Sequence, residues 1–110
     1  MTIAITGASG FIGSSLVEKL DDLGMPFVGS TRKEILGPDL KSGTWQRVDF
    51  HDESSVRNFC AGAECVIHLA GPDAATLSKS HSEIETFVEV TKTLFLAAVN
   101  SRVKRFIFVS

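Results

Sequence analysis

A run of three glycines near the amino terminus is the part of this sequence best suited to chemistry. Residues 6–13 read T-G-A-S-G-F-I-G, so the glycines have the spacing G-x-x-G-x-x-G. Gly7 allows a sharp turn, Gly10 has no Cβ to keep a ligand from the main chain, and Gly13 lets the helix pack close against the sheet. The N–H groups at a helix start and the helix dipole attract phosphates. The run therefore predicts a binding site for the pyrophosphate of a dinucleotide.

The residues on either side of the glycine run support this prediction. Residues 2–5 are apolar and β-prone, and residues 11–23 show helical spacing. The apolar positions expected on one face of that helix are Ile12, Leu16, Leu20 and Leu23. Strand, glycine turn and helix are the order that a dinucleotide-binding loop requires. A glycine triplet also occurs in purely structural turns, and that alternative stays open.

The composition is typical of one small globular domain. The 110 residues are 44% hydrophobic with a net charge of −2. Acidic and basic residues are mixed, which argues against a nucleic-acid surface or a polybasic membrane anchor. Apolar stretches fall short of the roughly 18 residues of a membrane span, and a secretion signal is not expected. Cys60 and Cys65 fit neither a zinc site nor a redox pair, so two buried thiols in a reducing cytoplasm are predicted.

The rest of the chain alternates between predicted strands and helices. We predict strands near 2–6, 27–31, 45–50, 65–70 and 105–109, and helices near 11–23, 33–43 (short or broken), 53–60 and 84–100. Asp52 is the expected N-cap of the third helix, and Ser82 with Glu85 could form a capping box before the fourth.

This alternation predicts a doubly wound α/β fold with a parallel, Rossmann-like sheet. Right-handed crossovers give five strands in the order 3-2-1-4-5, incomplete at the carboxyl end. Ligands of such sheets bind at the carboxyl ends of the strands, where the order reverses. That point brings residues 6–13 next to Ala70 and Gly71.

Four segments match one pattern in the same order along the chain. They are T-G-A-S-G-F-I-G at 6–13, V-D-F at 48–50, V-I-H-L-A-G at 66–71 and V-K-R-F-I-F-V-S at 103–110. Together they resemble the extended short-chain dehydrogenase/reductases, the NAD-dependent epimerase/dehydratase family. The resemblance spans the whole chain but only the amino-terminal part of the family's domain. It implies that residues 1–110 are an NAD(P)-binding Rossmann domain, an amino-terminal fragment without the substrate domain.

The resemblance also implies which residues contact the cofactor. The glycine loop would hold the pyrophosphate, Asp49 the adenine amino group, and the fourth-strand backbone would line the site. The expected contact residues are Gly7, Ser9, Gly10, Phe11, Ile12, Gly13, Thr31, Arg32, Lys33, Asp49, Phe50, Leu69, Ala70 and Gly71. An aspartate at a strand end also often satisfies the amides of a turn, and this alternative for Asp49 stays open.

The end of the second strand bears on the choice between NADP and NAD. An NAD site usually places an acid there to bond the ribose hydroxyls. Here the position is Thr31, followed by Arg32 and Lys33. A guanidinium can hold a 2′-phosphate with paired, charge-assisted hydrogen bonds, whereas an acid repels it. We therefore favour NADP over NAD; the alternative is that the two cations only solvate a loop.

No residue of the chain is predicted to be catalytic. The family's Y-x-x-x-K pair uses tyrosine as the acid/base, and the sequence contains no tyrosine. Ser110 matches a serine that typically precedes the catalytic one, and Glu89 and Lys92 stand where the family usually has asparagine and glycine. His68 alternates with apolar residues in a predicted buried strand and is expected to be a core histidine.

The leading hypothesis is the cofactor-binding half of an NAD(P)-dependent epimerase, dehydratase or reductase. Its substrate would bear a hydroxyl or carbonyl, as a nucleotide sugar does, and the piece alone is expected to be inactive. The alternatives are a non-catalytic NADP-binding sensor or docking module and a scaffold with a vestigial loop. A cytoplasmic protein is expected. An apolar fifth strand left at the sheet edge predicts a homodimer through that edge or through the fourth helix.

Overall fold

A computed structural model describes residues 2–31, 39–69 and 81–109. The elements in these ranges are β1 (Ile3–Thr6), α1 (Phe11–Asp22), β2 (Phe27–Thr31), β3 (Gly43–Arg47), α2 (Glu53–Cys60), β4 (Cys65–His68), α3 (His81–Asn100) and β5 (Arg105–Phe108). The strands pair in parallel in the order β3-β2-β1-β4-β5. The predicted doubly wound α/β fold and its strand order are confirmed. The short or broken helix expected near 33–43 falls mainly on residues outside the described ranges.

The central strand β1 separates two apolar layers. Ala4 belongs to the layer with α2 and α3, whereas Ile3 and Ile5 belong to the layer with α1. Successive side chains of a strand point to opposite faces, so helices on both faces require an apolar strand without polar alternation. The α1 layer contains Ile3, Ile5, Ala8, Val17, Leu20 and Phe27. The other layer contains Ala4, Val48, Val56, Phe59, Cys60, Ala63, Val66, Leu94, Ala97 and Ala98.

The inward face of α1 is not the one predicted. Gly13, Val17 and Leu20 are buried, whereas Ile12 and Leu23 are 58% and 59% exposed. A Cβ at Gly13 would overlap backbone atoms of the preceding loop, so the Cβ side of this position faces inward. Positions three and four residues further along then share its face. The buried side of α1 is therefore rotated relative to the predicted side, and Leu20 is the buried residue that the two have in common.

The strand β3 begins and ends earlier than the predicted 45–50. Gly43 pairs in register with Phe27 of β2, and a Cβ at Gly43 would overlap the Phe27 ring. The glycine therefore starts the strand instead of breaking it. The N–H of Val48 still donates to a β2 carbonyl at 3.1 Å, but the chain then turns at Asp49 toward α2.

The starts of two helices test the predicted caps. Asp52 is the N-cap of α2, and its carboxylate accepts a hydrogen bond from the N–H of Ser54 at 3.0 Å, as predicted. The helix α3 begins at His81, so Ser82 lies inside its first turn and is not the N-cap. The Ser82 carbonyl accepts a hydrogen bond from the hydroxyl of Thr86 at 2.9 Å. The predicted capping box of Ser82 and Glu85 is therefore wrong.

Replacing Asp52 with alanine is expected to lower the free energy of unfolding by about 1 kcal/mol, because the first turn of α2 loses its side-chain acceptor. Urea denaturation followed by circular dichroism measures the change. Asp39→Ala removes the same charge at an exposed position before β3 and should leave the midpoint within error. Equal losses in the two variants would show that charge, and not the cap, is responsible.

Candidate functional site

The glycine loop (residues 7–13) joins β1 to α1 at the carboxyl end of the sheet. Gly7 has φ of 68°, in the left-handed region that favours glycine. The N–H of Gly10 donates to the Gly7 carbonyl at 3.0 Å, which closes the turn. Gly10 is then the N-cap of α1, and no side chain caps this helix.

The first turn of α1 leaves backbone N–H groups available to a ligand. The N–H groups of Phe11, Ile12 and Gly13 have no acceptor within the helix because they belong to its first turn. This turn contains no acidic residue, and Ser9 and Gly10 beside it are exposed. An uncapped helix start of this kind attracts anions through its N–H groups and dipole. The loop therefore fits the pyrophosphate of a dinucleotide.

The second and third glycines of the loop have different surroundings. A Cβ at Gly13 would lie within 3.0 Å of the Gly7 carbonyl group and of Ala8 Cα, so a larger residue displaces backbone. A Cβ at Gly10 would have one close neighbour, the Gly7 carbonyl oxygen at 3.3 Å, and would otherwise point into open space. The close packing predicted for Gly13 is therefore made against the loop and not against the sheet strands, and Gly10 lies open to a ligand.

The loop is anchored on β2 through a glycine that the sequence analysis missed. Ala8 is fully buried. A Cβ at Gly29 would lie 2.8 Å from Ala8 Cβ and 3.0 Å from the Trp45 ring. Because Gly29 has no side chain, the methyl group of Ala8 can pack against β2 at this position. The available signal was a glycine inside a β-prone run, which often marks a close approach of another segment.

One predicted site residue lies at the end of β2, and a basic residue of β3 lies beside it. Thr31 ends the strand and is 8% exposed. Arg32 and Lys33, the residues expected at a 2′-phosphate, lie outside the described ranges. The parallel register sets Thr31 beside Arg47 of β3, whose side chain is exposed. Arg47 was missed because the register of β3 depends on strand bounds that the sequence did not define.

Asp49 has the turn-forming role that the sequence analysis kept as an alternative. Its carboxylate accepts a hydrogen bond from the N–H of His51 at 2.9 Å, and its own N–H donates to the hydroxyl of Ser55 at 3.0 Å. Asp49 is exposed, and a carboxylate can accept further hydrogen bonds. A second role toward a ligand is therefore geometrically open. Phe50 is half-buried and packs against the α2–α3 layer.

The end of β4 is tied to the end of β1. The N–H of Leu69 donates to both the carbonyl oxygen and the hydroxyl of Thr6, at 3.2 and 3.1 Å. Leu69 thus lies next to the start of the glycine loop. Ala70 and Gly71, the other two residues expected there, lie outside the described ranges.

His68 lies in the core at the same end of the sheet. It is 1% exposed, and its two ring nitrogens lie 2.6 Å from Thr6 Oγ1 and 3.0 Å from Thr91 Oγ1. Burial lowers the pKa of His68 from 6.5 to about 4, so the ring is neutral at pH 7. A neutral imidazole has one donor and one acceptor, and hydroxyls can complete both. This is the core histidine that the sequence predicted.

The two cysteines are free thiols, and one of them is fully buried. Cys60 has no exposed surface, and burial raises its pKa to about 11. Cys65 is only half-buried, so the prediction of two buried thiols is wrong for this residue. Burial raises the pKa of Cys65 as well, and the charge of Arg105 acts in the opposite direction. Neither thiol has the lowered pKa of a reactive cysteine.

Exposed apolar side chains lie on α3 and along β5 and the residue after it, at the outer end of the sheet. They are Val88, Phe95, Leu96, Val99, Ile107, Phe108 and Val109. Soluble proteins normally cover such a strand edge.

In the described part of the chain, no helix is long and apolar enough to cross a membrane. No group of three or more His, Cys, Asp or Glu side chains in the same ranges is arranged to hold a metal ion.

Comparisons with known proteins agree with this architecture. Residues 3–110 match the NAD dependent epimerase/dehydratase family. Cinnamoyl-CoA reductase 2 of Medicago truncatula is 30% identical over 119 residues, which cover 99% of this chain and 34% of that protein. The chain thus spans about a third of this curated relative's length.

Solved structures show the same fold. A UDP-galactose 4-epimerase structure is 30% identical with a TM-score of 0.82, covering 100% of this chain and 38% of its own. A uronate dehydrogenase variant from Agrobacterium tumefaciens, complexed with NAD, has a TM-score of 0.84 at 23% identity, covering 99% and 40%. The glycine loop, the strand order and the match over almost every residue lead to one conclusion: the chain belongs to the NAD-dependent epimerase/dehydratase family.

Proposed function

We propose that this chain binds a dinucleotide, with the pyrophosphate on the glycine loop. The observation that supports this most directly is the uncapped first turn of α1 beside the open Cβ position of Gly10. The proposed contact residues are Gly7, Ser9, Gly10, Phe11, Ile12, Gly13, Thr31, Arg32, Lys33, Asp49, Phe50, Leu69, Ala70 and Gly71. The backbone N–H groups of the loop would hold the phosphates, and Asp49 the adenine amino group.

We infer that NADP is preferred over NAD. The end of β2 has Thr31 in place of an acid, and Arg32 and Lys33 follow it in the sequence. Arg47 adds a third basic residue at the neighbouring strand end. Guanidinium groups bind phosphate through charge-assisted hydrogen bonds, so this surrounding favours the 2′-phosphate.

Isothermal titration calorimetry of the 110-residue chain with NADP and with NAD tests both proposals. NADP should bind more tightly, and Arg32→Ala should reduce the preference about tenfold, because one charged hydrogen-bond donor is lost. Arg57→Ala removes the same charge from exposed α2 and should keep the preference. An Arg32→Ala variant with unchanged preference would contradict the 2′-phosphate role. No heat from either dinucleotide would leave only a scaffold with a vestigial loop.

We propose that the whole protein is an NAD(P)-dependent epimerase, dehydratase or reductase, of which residues 1–110 are the cofactor-binding part. The dinucleotide supplies hydride exchange at a carbon bearing a hydroxyl or carbonyl. The names of a UDP-galactose 4-epimerase and a cinnamoyl-CoA reductase among the similar proteins support this substrate chemistry, with a nucleotide sugar as one example. The family's tyrosine acid/base is not among these residues, because the sequence has no tyrosine.

A binding module without chemistry, such as an NADP sensor, is the second candidate, because the glycine loop can hold a dinucleotide without any catalytic group. Sequencing the gene past Ser110 separates the two candidates. A reading frame that continues to a Y-x-x-x-K pair supports the enzyme, and a stop codon supports the module. We also propose a cytoplasmic location and a homodimer through the edge of β5 or through α3, whose exposed apolar residues support burial against a second copy.

A further inference from the structure

The buried end of β1 contains a hydrogen-bonded chain of three side chains that dinucleotide binding does not use directly. It runs from Thr6 on β1 through the ring of His68 on β4 to Thr91 on α3. Thr6 has no exposed surface, and His68 is 1% exposed. These hydrogen bonds therefore link two strands and a helix through the interior.

Aromatic rings hold the imidazole in its orientation. Phe87 of α3 stacks on His68 at a centroid distance of 6.0 Å with 17° between the planes. Phe108 of β5 meets the ring edge-on at 5.4 Å, and Phe106 lies at 6.3 Å. With both nitrogens bonded and the ring packed on several sides, His68 has little freedom to rotate.

Thr6, at one end of this hydrogen-bonded series, is the residue from which the glycine loop starts. Thr6 Oγ1 lies 2.6 Å from His68 Nδ1 and accepts a hydrogen bond from the N–H of Leu69 at 3.1 Å. Its side-chain orientation is therefore defined by His68 of β4 and by the N–H of Leu69, the residue that follows this strand. Gly7 follows directly with φ of 68°, and its carbonyl accepts the N–H of Gly10. The direction in which the chain leaves β1 thus depends on how Thr6 is held.

We propose that His68 is a positioning residue for the glycine loop: by bridging Thr6 of β1 and Thr91 of α3, it fixes Thr6 and so holds the Gly7 turn in the geometry that receives the pyrophosphate. A leucine would fill a core position without burying a polar ring. An imidazole instead gives a rigid link with a hydrogen-bonding atom at each end. The inference rests on the proposed dinucleotide function, and it adds a residue that touches no ligand.

The test compares His68→Asn, His68→Gln and His68→Leu. An Asn amide can occupy the place of Nδ1 and reach Thr6, whereas a Gln amide extends toward Thr91. We expect Asn to keep the NADP affinity within about threefold, and Gln and Leu to weaken it about tenfold, equal to about 1.4 kcal/mol. Thr91→Val removes only the hydrogen bond between His68 and Thr91, so it should weaken the NADP affinity less than His68→Gln or His68→Leu does.

Amide hydrogen exchange without ligand supplies the second readout. His68→Gln should accelerate exchange at Gly10, whose N–H closes the loop turn, more than at Gly24, whose N–H closes a turn after α1. Equal acceleration at both glycines, or equal affinity in all folded variants, would show that His68 only fills the core. If the unsubstituted chain binds no dinucleotide, the proposed function fails, and the exchange comparison still decides the role of His68.

Discussion

Replacing Gly13 with alanine is expected to destabilise the folded chain by about 3 kcal/mol or more. The added Cβ would lie within 3.0 Å of the Gly7 carbonyl group and of Ala8 Cα. These neighbours are backbone atoms, so no side-chain rotation relieves the contact, and the first turn of α1 must move off the loop. Chemical denaturation followed by tryptophan fluorescence from Trp45 measures the loss.

Gly10→Ala is the matched control, because the same methyl group is added three residues earlier. Its Cβ would meet the Gly7 carbonyl oxygen at 3.3 Å, and its backbone has φ of −77°, which any residue adopts. We expect a loss of stability below about 1 kcal/mol, since alanine is a poorer N-cap than glycine. Dinucleotide affinity should fall about tenfold or more, because the methyl group occupies the approach to the loop backbone. Equal stabilities for the two variants would contradict this division of roles.

The stability of the chain is expected to fall between pH 6.5 and about pH 4 through His68. The pKa of His68 is lowered to about 4 by burial, from 6.5 in the unfolded chain. Below pH 6.5 the unfolded chain takes up a proton that the folded chain does not, so unfolding becomes easier as the pH falls. A difference of about 2.5 pKa units corresponds to about 3 kcal/mol, fully lost below pH 4.

Urea titrations of the unsubstituted chain and of His68→Asn at several pH values measure this contribution. The variant has no imidazole at position 68, so its stability should decline less steeply over the same range. The difference between the two curves isolates this one group from the other acid-sensitive side chains. Parallel curves would show that the His68 ring takes up a proton without leaving the core.

The features that local sequence determines were predictable. The strand order followed from alternating apolar strands and helices, and the turn at Gly7 and the cap at Asp52 followed from residue type and spacing. The turn and the cap depend on contacts between residues close in the chain, whereas the strand order follows from the general rule of right-handed crossovers. The family resemblance also rested on short contiguous motifs, and the match to residues 3–110 agrees with it.

The side-chain contacts and the exact register between distant segments were not predictable. Thr6 and His68 are separated by 62 positions and His68 and Thr91 by 23, and no periodicity shows that their polar atoms meet. The register that places Arg47 beside Thr31 required the early start of β3 at Gly43. The apolar side of α1 was displaced because a backbone contact at Gly13, and not hydrophobicity, determines which side faces inward.

The most direct test of dinucleotide binding is a ¹H–¹⁵N chemical-shift titration of the chain with NADP. We expect the largest changes at the amides of residues 7–13, with smaller ones at Thr31, Asp49 and Leu69, and no comparable change in the remote turn at Gly62. The Gly10→Ala variant should require a higher NADP concentration for the same shifts. A folded spectrum in which the amides of residues 7–13 do not respond to NADP or NAD would contradict the proposed function.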